Sequence, residues 1–148
     1  MTDALHIVCD HCNSVVRVPI DRLQDAPKCA KCHLPLFTGK PVNLSTAAFE
    51  QHVSRNDLPL VVDFWAPWCG PCRMMEPHYE RVSAQFEHQA RFAKVNSDQE
   101  PQLSARFQIR GIPTLIAFKG GREIARQSGA MESSALASWL QSSGVLTT

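Results

Sequence analysis

Two apolar patterns alternate along most of this chain: short apolar runs, and longer segments with apolar residues on one helical face. The short runs predict strands and the longer segments predict helices. Strands are predicted at residues 42–44, 59–65, 91–96, 114–118 and 123–127, and helices at residues 46–56, 71–89, 101–107 and 131–142. Early alternation of strand and helix, followed by a terminal hairpin, predicts an α/β fold with a mixed central sheet and helices on both faces.

The first 38 residues of the chain differ from the rest in composition. They contain four of the six cysteines and one Phe, but no Trp or Tyr. So small a segment buries too little apolar surface to fold unaided, and a structural metal is the usual remedy. Residues 44–148 contain all three Trp and six of the seven Phe, enough for an ordinary core. The sequence therefore predicts two domains, at residues 1–38 and 42–148, with a short linker around residues 37–41.

The four N-terminal cysteines form two Cys-x-x-Cys pairs with sixteen residues between them. This spacing matches the zinc-ribbon pattern, and four thiolates suit tetrahedral zinc. One alternative is a pair of structural disulfides, which are rare in reducing compartments. Another is that His11 or His33 replaces a cysteine as a ligand. We expect one zinc ion, with the ligands Cys9, Cys12, Cys29 and Cys32.

Charge and hydropathy exclude several classes of function. The net charge is +1, so no global field favours nucleic acid or a membrane surface. The longest apolar stretch, around residues 58–68, is too short to span a bilayer and contains Asp63. The N-terminus has no apolar segment typical of a signal peptide. We expect a cytoplasmic monomer that binds neither nucleic acid nor a membrane.

A third cysteine pair, Cys69 and Cys72, directly follows the predicted strand at residues 59–65. Residues i and i+3 of a helix lie on one face, roughly 5–6 Å apart, and a disulfide needs Cα atoms about 4.4–6.8 Å apart. This pair can therefore switch between dithiol and disulfide with little backbone movement. Use of the pair as metal ligands is the alternative, but no partner pair remains for it.

The position of the pair predicts which sulfur reacts first. Cys69 lies at the predicted helix N-terminus, where free N–H groups and the helix dipole favour a thiolate, and it is expected to be the more exposed. The thiolate is the form that attacks a disulfide. We expect Cys69 to attack a substrate disulfide and Cys72 to resolve the mixed disulfide.

Residues 62–72, which end in Trp-Cys-Gly-Pro-Cys, and Gly-Ile-Pro-Thr at residues 111–114 resemble the thioredoxin family. With the added ribbon, the chain is similar to the zinc-containing thioredoxin 2 subfamily of bacteria. The resemblance implies a thioredoxin fold and a protein-disulfide reductase. Its electrons would come from an NADPH-dependent thioredoxin reductase and pass to oxidised client proteins. The zinc ribbon is a candidate oxidant sensor.

Two rival functions are also compatible with the sequence. One is an oxidase or isomerase, although oxidising relatives usually carry a His between the cysteines. The other is a partner-recognition or holdase protein that zinc regulates and in which the redox pair is secondary. Insulin reduction separates these functions.

The resemblance also assigns roles to single residues. Asp63 lies within an apolar strand, where burial should raise its pKa, and in the family the matching Asp exchanges a proton with the inner cysteine. Lys94 would lie near Asp63 and tune its titration. The alternatives are a solvated strand face for Asp63 and an exposed strand lysine for Lys94.

The family pattern further implies a surface for client proteins beside the cysteines. The Ile112–Pro113 bond would be cis, although X–Pro bonds are cis in only about 5–6% of cases. Met74 and Met75 are expected to pack inside the protein. The residues expected to contact substrate are Trp68, Gly70, Pro71, Gly111, Ile112, Pro113 and Gly129.

Overall fold

The computed structural model describes residues 3–146. Residues 1–2 and 147–148 of the predicted domain ranges lie outside the described part. In chain order the elements are β1 (Ala4–Val8), β2 (Val15–Pro19), a 3-10 helix (Ile20–Arg22), β3 (Val42–Asn43), α1 (Thr46–Arg55), β4 (Leu60–Trp65), α2 (Gly70–Gln85), β5 (Arg91–Asn96), α3 (Pro101–Arg106), β6 (Thr114–Lys119), β7 (Arg122–Ser128) and α4 (Ser133–Ser142).

The larger sheet has five strands in the order β3-β5-β4-β6-β7. The first three strands are parallel, whereas β6 runs antiparallel to β4 and β7 runs antiparallel to β6. One apolar layer joins this sheet to α2 and α4, and a second layer joins its other face to α1 and α3. The predicted mixed sheet with helices on both faces is confirmed.

Strand β4 shows how the sequence divides between these layers. Five of its six residues are buried, as expected for a central strand with both faces covered. Leu60, Val62 and Phe64 pack in the layer with α1 and α3, while Val61 packs in the layer with α2 and α4. Because successive side chains point to opposite faces, Asp63 shares the α2 side with Val61.

Helix α2 ends four residues before the predicted position. The prediction placed its end at residue 89, but the helix stops at Gln85. The N–H groups of Gln89 and Ala90 instead donate to the carbonyl of Phe86 at 2.9 and 3.1 Å. This turn reverses the chain and leads it into β5.

The N-terminal cysteine segment folds around a hairpin of β1 and β2, in which Val8 pairs with Val15 and Ala4 with Pro19. Strand β1 was not predicted from the sequence. A small core of Ile7, Val18 and Leu36 packs with the cysteines.

Arg91 fastens this ribbon to the larger sheet. Its guanidinium is buried and donates to the carbonyls of Val8 and Leu36, both at 3.1 Å, and to Asp10 Oδ1 at 2.9 Å. Arg91 pairs with Leu60 at the amino ends of two parallel strands, whereas the cysteine turn follows their carboxyl ends. At about 3.3 Å per residue the ribbon contact and that turn lie about 17 Å apart along the strands.

Candidate redox site and metal centre

Cys69 and Cys72 lie where β4 passes into α2, and the structure joins them as a disulfide with their Cα atoms 5.3 Å apart. Cys69 is the N-cap residue of α2, and the backbone N–H of Cys72 donates to its sulfur at 3.2 Å. The Cys69 sulfur also lies 3.7 Å from the carbonyl oxygen of Ile112. Free N–H groups at this helix end favour a negative sulfur in the reduced form.

Both cysteines are largely buried. Cys69 is 5% exposed and Cys72 is 2% exposed, so the order matches the prediction but the difference is small. Ala66, Trp65 and Ile112 pack around the pair. A disulfide that reacts with Cys69 must therefore contact the residues that surround Cys69.

The residues expected to contact substrate differ in how far they are exposed to solvent. Trp68 is 69% exposed, and its indole N–H donates to Asp98 Oδ2 at 2.9 Å. Gly111 is exposed and Ile112 is half-buried beside the cysteines. Pro113 is buried.

The remaining residues of the predicted surface come from the loop before β6, the end of β7 and the start of α2. The Ile112–Pro113 bond is cis, as the resemblance implied. The N–H of Gly129 donates to the Pro113 carbonyl at 2.8 Å, which brings the end of β7 beside that loop. Gly129 has a φ of +101°, a conformation that favours glycine. Gly70 and Pro71 form the first turn of α2 between the cysteines.

Met74 lies on the surface near the cysteines, and the expectation that it packs inside is wrong. It is 72% exposed, whereas Met75 is 1% exposed. The buried stripe of α2 passes through Cys72, Met75 and Tyr79, which are three and four residues apart, and Met74 falls outside it. This spacing was visible in the sequence and could have placed Met74 on the surface.

Asp63 is buried, so the solvated-face alternative is wrong. It is 1% exposed, and its Oδ1 has no hydrogen-bond partner. Burial raises the pKa of Asp63 to about 7, while the Lys94 charge lowers it and the Glu76 charge raises it by smaller amounts. A carboxyl group with this pKa can both hold and release a proton at neutral pH.

Lys94 and Asp63 are register partners on adjacent parallel strands. The Lys94 side chain is only 12% exposed, so it is not an ordinary surface lysine. Its Nζ lies 2.9 Å from Glu76 Oε2 and 4.2 Å from the centre of the Trp65 ring. Sequence reasoning missed Glu76, although Cys72 and Glu76 are four residues apart and thus neighbours on one helix face.

The four N-terminal cysteines converge on one point. Their sulfurs all lie within 4.8 Å of one another, with Cys9 and Cys32 at 3.7 Å and Cys12 and Cys29 at 3.6 Å. Sulfurs placed about 2.3 Å from a central zinc in a tetrahedron are about 3.8 Å apart, so the cluster has the size that a metal ion requires.

The chemistry of this cluster also fits a cation. The four cysteines are free rather than paired as disulfides. Burial raises the pKa of Cys9 to about 12, whereas hydrogen bonds with Ser14 lower the pKa of Cys12 to about 6. Within residues 3–146, neither His11 nor His33 belongs to the cluster. The set of four cysteines could hold a metal ion.

Comparison with known proteins identifies the family. The thioredoxin sequence model matches residues 40–142. The chain belongs to the thioredoxin family. A second model, for the N-terminal part of thioredoxin 2, matches residues 8–33, which contain the four clustered cysteines. The predicted architecture, a thioredoxin fold preceded by a zinc ribbon, is therefore confirmed.

Relatives of known name support the same assignment. Thioredoxin C-3 of Corynebacterium nephridii is 42% identical over 134 residues, which cover 90% of this chain and 92% of that protein. A thioredoxin of Synechocystis sp. is 44% identical over 98 residues, covering 66% of this chain and 92% of its own length. Thioredoxins are disulfide oxidoreductases, and this protein is a member of that enzyme class. Within residues 3–146, no helix has the length and apolar character needed to cross a membrane.

Proposed function

We propose that this thioredoxin reduces protein disulfides by passing two electrons through Cys69 and Cys72. The observation that carries the proposal is the position of Cys69 at the N-cap of α2, with the Cys72 N–H directed at its sulfur. In the reduced protein this hydrogen bond and the helix dipole stabilise the Cys69 thiolate, which is the nucleophile that disulfide exchange needs.

The reaction proceeds in two exchanges. The Cys69 thiolate attacks one sulfur of the client disulfide, which forms a mixed disulfide and releases the other client sulfur as a thiolate. Cys72 then loses its proton and attacks the Cys69 sulfur, which closes the Cys69–Cys72 disulfide and releases the second client sulfur. The client gains two electrons and the enzyme loses two. The short Cα separation of 5.3 Å supports ring closure without a large movement of α2.

Asp63 is proposed to accept the Cys72 proton. Its pKa of about 7 suits a group that must both take up and release a proton near neutral pH. It lies on the face of β4 that packs against α2, the helix that carries Cys72. Lys94, its register partner on β5, is proposed to tune this titration.

The client is proposed to dock on the surface beside Cys69. Trp68 and Ile112 offer exposed and half-buried apolar side chains, and Gly70, Pro71, Gly111, Pro113 and Gly129 complete the proposed contact set. Gly111 leaves open space where a side chain would project, which lets a client backbone approach closely. Because Pro113 is buried, its proposed contribution is to shape the loop rather than to offer its ring.

The ribbon is proposed to bind one zinc ion through Cys9, Cys12, Cys29 and Cys32. When bound, zinc supplies a structural cross-link between the two cysteine pairs. Strong oxidants such as peroxide would pair the four thiolates as two disulfides and release the ion, which is the proposed route of oxidant sensing. The proposed domain division remains residues 1–38 and 42–148.

The proposed electron donor is an NADPH-dependent thioredoxin reductase, and the proposed location is the cytoplasm, where the protein acts as a monomer. The test is insulin reduction with NADPH and a thioredoxin reductase, followed as NADPH consumption. The wild-type chain should turn over, and both Cys69→Ser and Cys72→Ser should be inactive, while the surface variant Ser142→Ala should match wild type. A chain that binds partner proteins without cysteine-dependent NADPH consumption would contradict the proposal.

A further inference from the structure

One cation and two carboxylates meet between β4, β5 and α2. The cation is Lys94, and the carboxylates are Asp63 beside it in the sheet and Glu76 on the helix above. Lys94 Nζ forms its ion pair with Glu76 Oε2 at 2.9 Å, whereas Asp63 Oδ1 is buried without a hydrogen-bond partner. Lys94 therefore forms its ion pair with the more exposed of the two carboxylates, since the Glu76 side chain is 43% exposed.

The conformation of the Lys94 side chain explains why it pairs with Glu76 rather than with Asp63. It lies over the Trp65 ring, with Nζ 4.2 Å from the ring centre, and reaches the partly exposed Glu76 carboxylate. Stacking of a cation on an aromatic face stabilises this conformation. The exposed carboxylate stays hydrated on its open side, so an ion pair there is less costly than one enclosed in the core.

We propose that Glu76 is a positioning residue that holds the Lys94 ammonium away from the Asp63 carboxyl group and so favours the protonated form of that group. This inference rests on the proposed function, because the proton matters only if Asp63 serves Cys72.

The other groups that face Asp63 do not offer it a cation. The titratable residues on the buried face of α2 are Cys72 and Tyr79, and the Tyr79 hydroxyl donates to the backbone carbonyls of Val61 and Ala93 at 3.1 and 2.8 Å. Burial raises the pKa of Tyr79, so it stays neutral. On β6 the register partner of Asp63 is Leu115. Within residues 3–146, Lys94 and Glu76 are thus the two charged groups whose arrangement controls Asp63.

Removal of the Glu76 charge should affect Asp63 in one direction. Loss of the negative charge on Glu76 removes a repulsion that favours protonated Asp63. Release of Lys94 leaves Asp63 as the nearest carboxylate for its ammonium, and an opposite charge nearby favours the ionised form. Both effects make Asp63 more acidic in Glu76→Gln.

The test is a titration of the Asp63 carboxyl carbon by NMR in the reduced full-length protein. The midpoint in Glu76→Gln should fall by about 0.5–1 pH unit. The control is Glu80→Gln, which removes the same charge from an exposed residue one turn further along α2. Its midpoint should match wild type. In a Lys94→Met background, Glu76→Gln should produce a clearly smaller shift, because only the direct repulsion remains.

Each contrary outcome is informative. An unmoved midpoint in Glu76→Gln, or an equal shift in Glu80→Gln, overturns the role of Glu76. An undiminished shift without Lys94 overturns positioning through the lysine. The pH profile of insulin reduction is measured in parallel and should move to lower pH with the NMR midpoint. If the NMR shift occurs but the profile stays in place, the inference about Glu76 holds and the proposed proton transfer by Asp63 fails.

Discussion

Replacement of Asp63 by Asn should stabilise the protein by an amount that depends on pH. The wild-type carboxyl has a pKa of about 7 in the folded protein and about 3.9 in the unfolded chain. Above pH 3.9 the unfolded chain gains stability by ionising, while the folded protein cannot ionise Asp63 until the pH passes 7. Wild-type stability is therefore lost progressively between these two values. The variant has no such group and no such loss.

The size of the effect follows from the difference of about 3 pH units between the two pKa values. At 1.36 kcal/mol per unit, the full loss is about 4 kcal/mol, reached above about pH 8. At pH 5 it is about 1.5 kcal/mol, because the folded carboxyl is still protonated there. The advantage of Asp63→Asn should thus grow by about 2.5 kcal/mol between pH 5 and pH 8. The cost of burying the new amide is constant with pH and drops out of this difference.

The measurement is urea unfolding of the oxidised protein at several pH values between 5 and 9. In the oxidised form neither Cys69 nor Cys72 titrates, so the pH dependence of the difference belongs to Asp63. The control is Asp25→Asn, at an exposed position, which should change stability by less than about 0.5 kcal/mol across the range.

The reasoning would be refuted by an advantage of Asp63→Asn that is the same at pH 5 and pH 8. That result would mean that the folded carboxyl ionises as readily as the unfolded one. Burial would then not raise the pKa of Asp63.

Three further predictions concern the ribbon. Arg91→Leu should lower the free energy of unfolding by about 3 kcal/mol, because it leaves Asp10 and two backbone carbonyls without their buried donor. Limited proteolysis should cut the ribbon of this variant faster than that of the control Arg110→Leu, which changes an exposed residue. Unchanged protection would show that the ribbon does not depend on Arg91. A chain without residues 1–38 should remain folded and reduce insulin without zinc, since both main apolar layers lie outside the ribbon. A circular dichroism spectrum of an unfolded chain would rule out two separable domains. Metal analysis should find one zinc ion in the full chain, and peroxide should release that ion when it oxidises the four ribbon thiols. Zinc that stays bound after those thiols are oxidised would exclude oxidant sensing through zinc release.

Local sequence patterns were sufficient to predict the elements of the larger sheet. In β4, for example, an apolar run broken only by Asp63 predicted a buried strand, and the structure shows that Asp63 is buried with the residues around it. Cysteine spacing was sufficient to predict the cluster of four cysteines, because two short turns bring their sulfurs together once a hairpin joins them.

Contacts between residues far apart in the sequence could not be predicted from local patterns. Arg91 begins a strand, a position where a charged residue usually meets water, and it is buried only because the ribbon covers it. Glu76 was missed because its partner Lys94 lies eighteen residues away on a different element. Such pairs depend on how elements dock, which periodicity within one element does not encode.

The central claim is that Cys69 attacks and Cys72 resolves, and mixed-disulfide trapping tests it most directly. Reduced Cys72→Ser and Cys69→Ser variants are each mixed with a disulfide-containing client, and the products are separated without reductant. The account predicts a stable covalent adduct with Cys72→Ser, because Cys69 can attack and nothing can release it, and none with Cys69→Ser. Adducts with Cys69→Ser and none with Cys72→Ser would contradict the account.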